Sequence, residues 1–226
     1  MDASLQNIKL SPRQRAWAMA ELLLAAALVV GANIFDLVPV SETPWLVAIG
    51  WLSLRLRKSS WKALGFRRPS RWITTVGVAL VAGVVLQLLS EFVIERLTGR
   101  PDLSDFHSLV GNLPASLGML ALVWTLAAFG EEMAYRGYVL ERAAALGHHS
   151  SSAYVAAMIV VSVLFGLGHW YQGMPGVIGS AVSGLFFGAL YLIGGRNLWL
   201  PILAHGFSDT IGLALVYLGL VPGLAK

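Results

Sequence analysis

The sequence predicts an all-α fold: a polytopic membrane bundle of about seven helices, with six to eight as the bounds. Three observations carry that reading. The chain is 57% hydrophobic and only 12% charged, whereas a soluble domain carries about 25% charged residues. Apolar runs long enough to cross a hydrocarbon core of about 30 Å recur along it. Seven of its sixteen basic residues fall between Arg55 and Arg71, beside an apolar run, which is how membrane segments are flanked.

The same facts bound the function. A net charge of +4 and a pI near 9.6 would suit nucleic acid, but the basicity sits in a membrane flank, so the expected partner is the lipid bilayer and no nucleic acid. The absence of cysteine excludes disulfides and thiolate ligands. The first apolar run, Ala16–Phe35, is longer than a signal-peptide core and lacks a convincing cleavage site, so it reads as a retained span. Residues 1–226 read as a single integral-membrane domain, in which 115–215 carry the polar motifs.

The elements follow in order. Residues 1–15, with Lys9, Arg13 and Arg15, form a basic lead. The first span is Ala16–Phe35, with Glu21 at the interface and without a catalytic role. Trp45–Leu54 is too short to cross unless it begins near Leu37; a full span is favoured over a re-entrant segment. The third span is Trp72–Ile94. Glu95–Asn112 is a polar connection, with His107 a solvated loop residue. The fourth helix starts near Ala115, runs through Glu131 and Glu132, and leaves the membrane as Tyr138–Leu146. Gly147–Ser152 is a bend, in which His148 and His149 read as exposed. The fifth and sixth spans are Ala153–Trp170 and Val177–Ile193; Ser180, Gly184 and Gly188, four apart, permit close helix contact. The seventh is Leu198–Leu220. Placing the N-terminus in the cytoplasm puts the Arg55–Arg71 loop, Arg142 and Arg196 on that side as well. The expected location is therefore the cell (plasma) membrane.

Ionisable groups at bilayer depth are costly, about 2.5–3.5 kcal/mol each on insertion scales, so they face a protein interior and mark function. The stretch Gly130-Glu131-Glu132-Met133-Ala134-Tyr135-Arg136 holds three of them. Arg136 lies four residues after Glu132, within ion-pair reach on one helix face. Glu131 points elsewhere, about 100° round an α-helix, and is free for general-base work. His169 and Glu131 are each 19 residues from position 150, the middle of the bend. An antiparallel hairpin therefore brings them to one height. His205 lies nine residues beyond Arg196, and Glu131 eleven before Arg142; at 1.5 Å per residue the two sites differ by only about 3 Å in depth. Asp209, four residues after His205, shares its face and suits a carboxylate that orients an imidazole. Phe165, one turn before His169, reads as a cavity wall or as plain core.

Glu131-Glu132-x-x-x-Arg136, Phe165-x-x-x-His169 and His205-x-x-x-Asp209, in that order, resemble the motifs of the CPBP intramembrane proteases. That family includes CAAX prenyl endopeptidases and bacterial proteins linked to bacteriocin processing or immunity. The resemblance covers about residues 115–215 and extends to Arg136-Gly137-Tyr138. It implies a seven- or eight-helix bundle with a cavity reached from the membrane, and endoproteolysis of a membrane-associated protein or peptide. Glu131 and His169 would position and deprotonate a water. His205 and Asp209 would stabilise the oxyanion or orient the site; the family often has Asn where this chain has Asp209. Glu132, Arg136 and Phe165 would be supporting residues. Two histidines and a glutamate from three helices also match a hydrolytic zinc site, with Glu131, His169 and His205 as ligands. No His-Glu-x-x-His is present, so zinc and unaided water activation stand as equal alternatives. Two other classes compete with the protease: a non-catalytic immunity or scaffold protein, and a proton-coupled transporter, against which the chain shows no inverted repeat.

Overall fold

The structure is a computed structural model that describes residues 10–39 and 41–224; Lys9 and the rest of the N-terminal lead before residue 10 lie outside it. Seven long helices make up the described fold. They are α1 (Pro12–Asn33), α2 (Thr43–Leu56), α3 (Trp72–Thr98), α4 (Leu113–Leu146), α5 (Ser151–Leu167), α6 (Gly173–Ile193) and α7 (Trp199–Tyr217). No strand occurs among the described residues. By length and apolar composition α1, α3, α4, α7 and the segment Trp170–Ile193 each suffice to cross a membrane. Leucines, valines and isoleucines stand exposed along α1, α3 and α5, a surface too apolar for water and suited to lipid. The chain is a multi-pass membrane protein, as its composition predicts.

Local chemistry explains the helix starts. Ser11 and Gln14 form a reciprocal capping box before Pro12, which satisfies donors the first turn leaves free. Asn112 and Ser150 cap α4 and α5 by accepting from the backbone N–H groups of Ala115 and Ala153. Three points differ from the sequence expectation. α2 does not begin near Leu37: the described residues among 34–39 and 41–42 are not helical and the helix has 14 residues, about 21 Å of rise, short of a full crossing. Asp36 has positive φ there and Pro39 interrupts any helix reaching back. The central turns of α4, Val123–Val139, are π-helical. Finally, α5 ends at Leu167, so His169 lies in the turn before α6.

α4 is the axis. α2 packs on one side of it and α7 on another; α3 lies along α7, α5 along α6, and α1 against the last turns of α4. The small residues predicted to bring helices together do so: a side chain at Gly184 would meet Ser162, and one at Gly188 would meet Met158, both on α5. Arg142 and Arg196, read from the sequence as marking one level, do lie at the same end as the Arg55–Arg71 loop. Arg142 pairs with Glu21, which also accepts from Ser53. Glu21 is thus a structural carboxylate tying α1, α2 and α4. Arg196 pairs with Glu141 and Tyr154, and Glu141 accepts from Tyr191 at 2.7 Å and from Tyr154 at 3.0 Å.

Gly65 joins this end together. Its φ of +100° is one that side chains rarely adopt, its carbonyl accepts from Leu198 N at 3.0 Å, and a Cβ would fall 2.3 Å from the Arg196 carbonyl oxygen. Gly65→Ala is expected to destabilise the protein by at least about 1–3 kcal/mol, read as a lower melting temperature in detergent.

His148 and His149 are half-buried rather than solvated. His148 bonds to Arg15 at 2.6 Å, and His149 to the Tyr154 hydroxyl at 3.1 Å, with Glu141 at 3.6 Å. Burial holds the His149 imidazole below its ordinary value, against the pull of Glu141. A histidine whose folded value is depressed contributes stability above its unfolded value, about 6.5, and loses it as pH falls. Melting temperature is therefore expected to drop below that pH, and His149→Gln to flatten the drop.

Candidate active site

Arg136 and Glu132 form the floor of the site. Arg136 Nη1 donates to Glu132 Oε1 at 2.8 Å, with both side chains essentially inaccessible to solvent. The guanidinium donates again to the Gly184 carbonyl at 3.1 Å and lies over the rings of Phe165 and Phe187, 4.4 and 5.4 Å from their centroids. A planar cation with five fixed donors suits that slot, where a lysine ammonium would not. The pairing predicted from i,i+4 spacing is present, and it ties α4 to α6.

His205 stands on this floor. Its Nδ1 is 2.9 Å from Glu132 Oε1 and its Nε2 is 3.3 Å from Asp209 Oδ2. The ring stacks on Phe187 at 4.5 Å and 18°, with Phe165 edge-on at 6.2 Å. Carboxylate oxygens only accept, so both contacts are satisfied when both ring nitrogens carry a proton. The Asp209 contact is the longer and faces the more exposed side, since about a third of the Asp209 side chain is open to solvent. Asp209 therefore stands beside His205 as a charge partner on the open side of the ring.

His169 presents the opposite chemistry. Its Nδ1 bonds to the Phe165 carbonyl at 3.0 Å. That fixes the tautomer, because a carbonyl needs a donor, and it leaves Nε2 as a free acceptor. Tyr171 stacks on the ring at 6.2 Å and 25°. Tyr135 of α4 meets Phe165 of α5 edge-on at 5.1 Å. In sequence Glu131 lies four residues before Tyr135, and His169 four residues after Phe165. Among the described residues one oxygen of Glu131 is buried without a hydrogen-bond partner, as is the second oxygen of Glu132. Such groups are rare and call for a functional account. The Glu131 carboxylate lies within electrostatic reach of His205, Asp209, Glu132 and Glu42.

Three site residues escaped sequence reasoning. Phe187 sits between Gly184 and Gly188, an aromatic in a small-residue stripe, which is a signal that was available. Tyr135 lies inside the charged motif. Glu42 comes from the polar turn before α2 and is almost wholly buried; only the shortness of α2 hints that its start lies deep in the bundle.

Residues 113–211 match the family model for type II CAAX prenyl endopeptidase Rce1-like proteins. The match runs from the start of α4 into α7 and takes in all three motifs, so the family resemblance read from them is borne out. No curated protein and no solved structure matches the chain. The Rce1-like segment supplies Glu131, Glu132, Arg136, Phe165, His169, His205 and Asp209, while the turn before α2 and the end of α1, both outside it, add Glu42 and Asn33.

The zinc alternative can be tested on the donor set. Both nitrogens of His205 face carboxylates, and His169 has only Nε2 free. Among the described residues no three of His, Asp and Glu are grouped so as to hold a metal ion. As placed, Glu131, His169 and His205 do not form such a three-ligand group.

Proposed function

We propose that this chain is an intramembrane endopeptidase that hydrolyses a peptide bond of a membrane-associated protein or peptide with water activated by Glu131 and His169. The observation that carries the reading is a division of labour among these groups. His205 is held between two carboxylates, whereas among the described residues one oxygen of Glu131 and the Nε2 of His169 have no hydrogen-bond partner. A proton acceptor and a fixed cation side by side are what addition of water to a carbonyl requires.

The steps follow from these groups. Water bound between Glu131 and His169 gives up a proton to them as its oxygen forms a bond to the scissile carbonyl carbon. The resulting oxyanion is met by the His205 Nε2–H, released from its long contact to Asp209. As the carbon–nitrogen bond breaks, the stored proton passes to the departing amine. Glu132 and Arg136 hold His205 in place and take no proton.

The test is comparative proteomics of membrane-anchored peptides in cells carrying wild type or Glu131→Gln. Products that vanish in the variant support the reading and name the substrate. Identical product sets, with both proteins present in the membrane, overturn it in favour of a non-catalytic scaffold or immunity protein.

A further inference from the structure

Glu42 is a buried carboxylate that the steps above do not use. Its oxygens accept from two neutral donors on different helices, the Tyr135 hydroxyl of α4 at 2.6 Å and Asn33 Nδ2 of α1 at 2.9 Å. Among the described residues no Arg, Lys or His pairs with it. A desolvated carboxylate without a cation is costly, so its retention calls for a cause. Its position supplies one. Glu42 Oε1 lies beside Gly168, where an added Cβ would come within 2.9 Å of it and 3.4 Å of the Tyr135 hydroxyl, room that only glycine leaves. Gly168 is the residue before His169, so Glu42 and Tyr135 together brace the turn that presents the imidazole. Glu42 also lies within electrostatic reach of both His169 and Glu131.

The structure assigns Glu42 a role of its own: we propose that it is the positioning residue for His169, bracing the Gly168–His169 turn through Tyr135 and placing a fixed negative charge opposite the imidazole. The inference rests on the peptidase reading above for its kinetic consequences, though not for its structural ones. The short α2 then has a purpose, since a full-length span would carry Glu42 out of the layer. When the water's proton reaches the Glu131–His169 pair, Glu42 offsets the positive charge formed on His169. Other groups that act on that ring include His205 and Asp209 from α7 and Tyr171 from its own turn, with Glu131 of α4 opposite it on the peptidase reading.

The test uses the full-length protein in detergent or proteoliposomes, with Glu42→Gln and Tyr135→Phe singly and together. Glu42→Gln keeps an acceptor for Tyr135 and removes the charge. Expected is a loss in kcat of about tenfold or more, as for a lost contact to a reacting group, with KM and melting temperature near wild type. Tyr135→Phe should lower kcat too, and the double variant should lose less than the product of the two single losses, because both act through one turn. A second readout needs no activity: carbethoxylation of histidines by diethyl pyrocarbonate, followed by mass spectrometry. Glu42→Gln should raise the rate at His169 several-fold and leave His107, in the 3-10 turn Ser104–Leu109, unchanged. An unchanged His169 rate overturns the positioning role whether or not the protein cleaves. A raised rate in a protein whose wild type cleaves nothing keeps the positioning role and sinks the peptidase reading instead.

Discussion

Arg136→Ala is expected to give a protein that inserts but does not hold its fold, with a stability loss of about 3–5 kcal/mol, the cost of leaving a buried charge without its partner. Three contacts fail at once. Glu132 loses its cation at 2.8 Å, the Gly184 carbonyl loses its donor, and the slot between Phe165 and Phe187 is emptied. His205 alone would then face the Glu132 carboxylate. The converse substitution separates charge from volume: Glu132→Gln with Arg136→Met fills the slot and leaves no buried ion, so it should melt well above Arg136→Ala. Thermal unfolding in detergent, followed by loss of monodisperse protein, checks both. If Arg136→Ala melts like wild type, the pair does not hold α4 to α6 as described.

Glu131→Gln should leave the fold intact and remove cleavage. Among the described residues Glu131 forms no ion pair, and one of its carboxylate oxygens has no hydrogen-bond partner. A neutral amide of the same shape should therefore be tolerated or stabilising, since burying an unpaired carboxylate is costly. As a general base, however, Gln cannot take a proton. Loss of such a group lowers turnover by about 10²–10⁴-fold. His169→Ala should behave alike, while Glu132→Gln should damage stability as well as rate. The measurement is cleavage of a reporter substrate identified by the proteomic comparison, set against melting temperature for each variant. Full activity in Glu131→Gln removes the mechanism, whatever the other variants do.

Legibility in the sequence followed the range of the forces involved. The Glu132–Arg136 pair and the His205–Asp209 pair were readable because they lie within one turn of one helix, where spacing alone dictates contact. Glu131 and His169 stand equidistant from one bend in the sequence, which is the whole ground for expecting them at a common height. The lengths of α2 and α5 were misread by a few residues, since hydropathy marks what lipid tolerates and says little about where a helix ends. The exposure of His148 and His149 was misjudged for another reason: their partners, Arg15 and Glu141, come from other elements.

What the sequence determined by itself was the class of the molecule, an all-helical membrane bundle, and the list of polar groups that must turn inward. Both follow from local energetics, the cost of placing charge in lipid and the periodicity of a helix. Only the tertiary structure decided how those groups divide their work. That His205 lies between Glu132 and Asp209, that Glu131 is left unpartnered, and that Glu42 reaches the layer from a truncated helix all depend on how α2, α4 and α7 rotate against one another. Those rotations are set by close packing at Gly50, Gly130 and Gly137, contacts between residues far apart in the chain that no local pattern encodes.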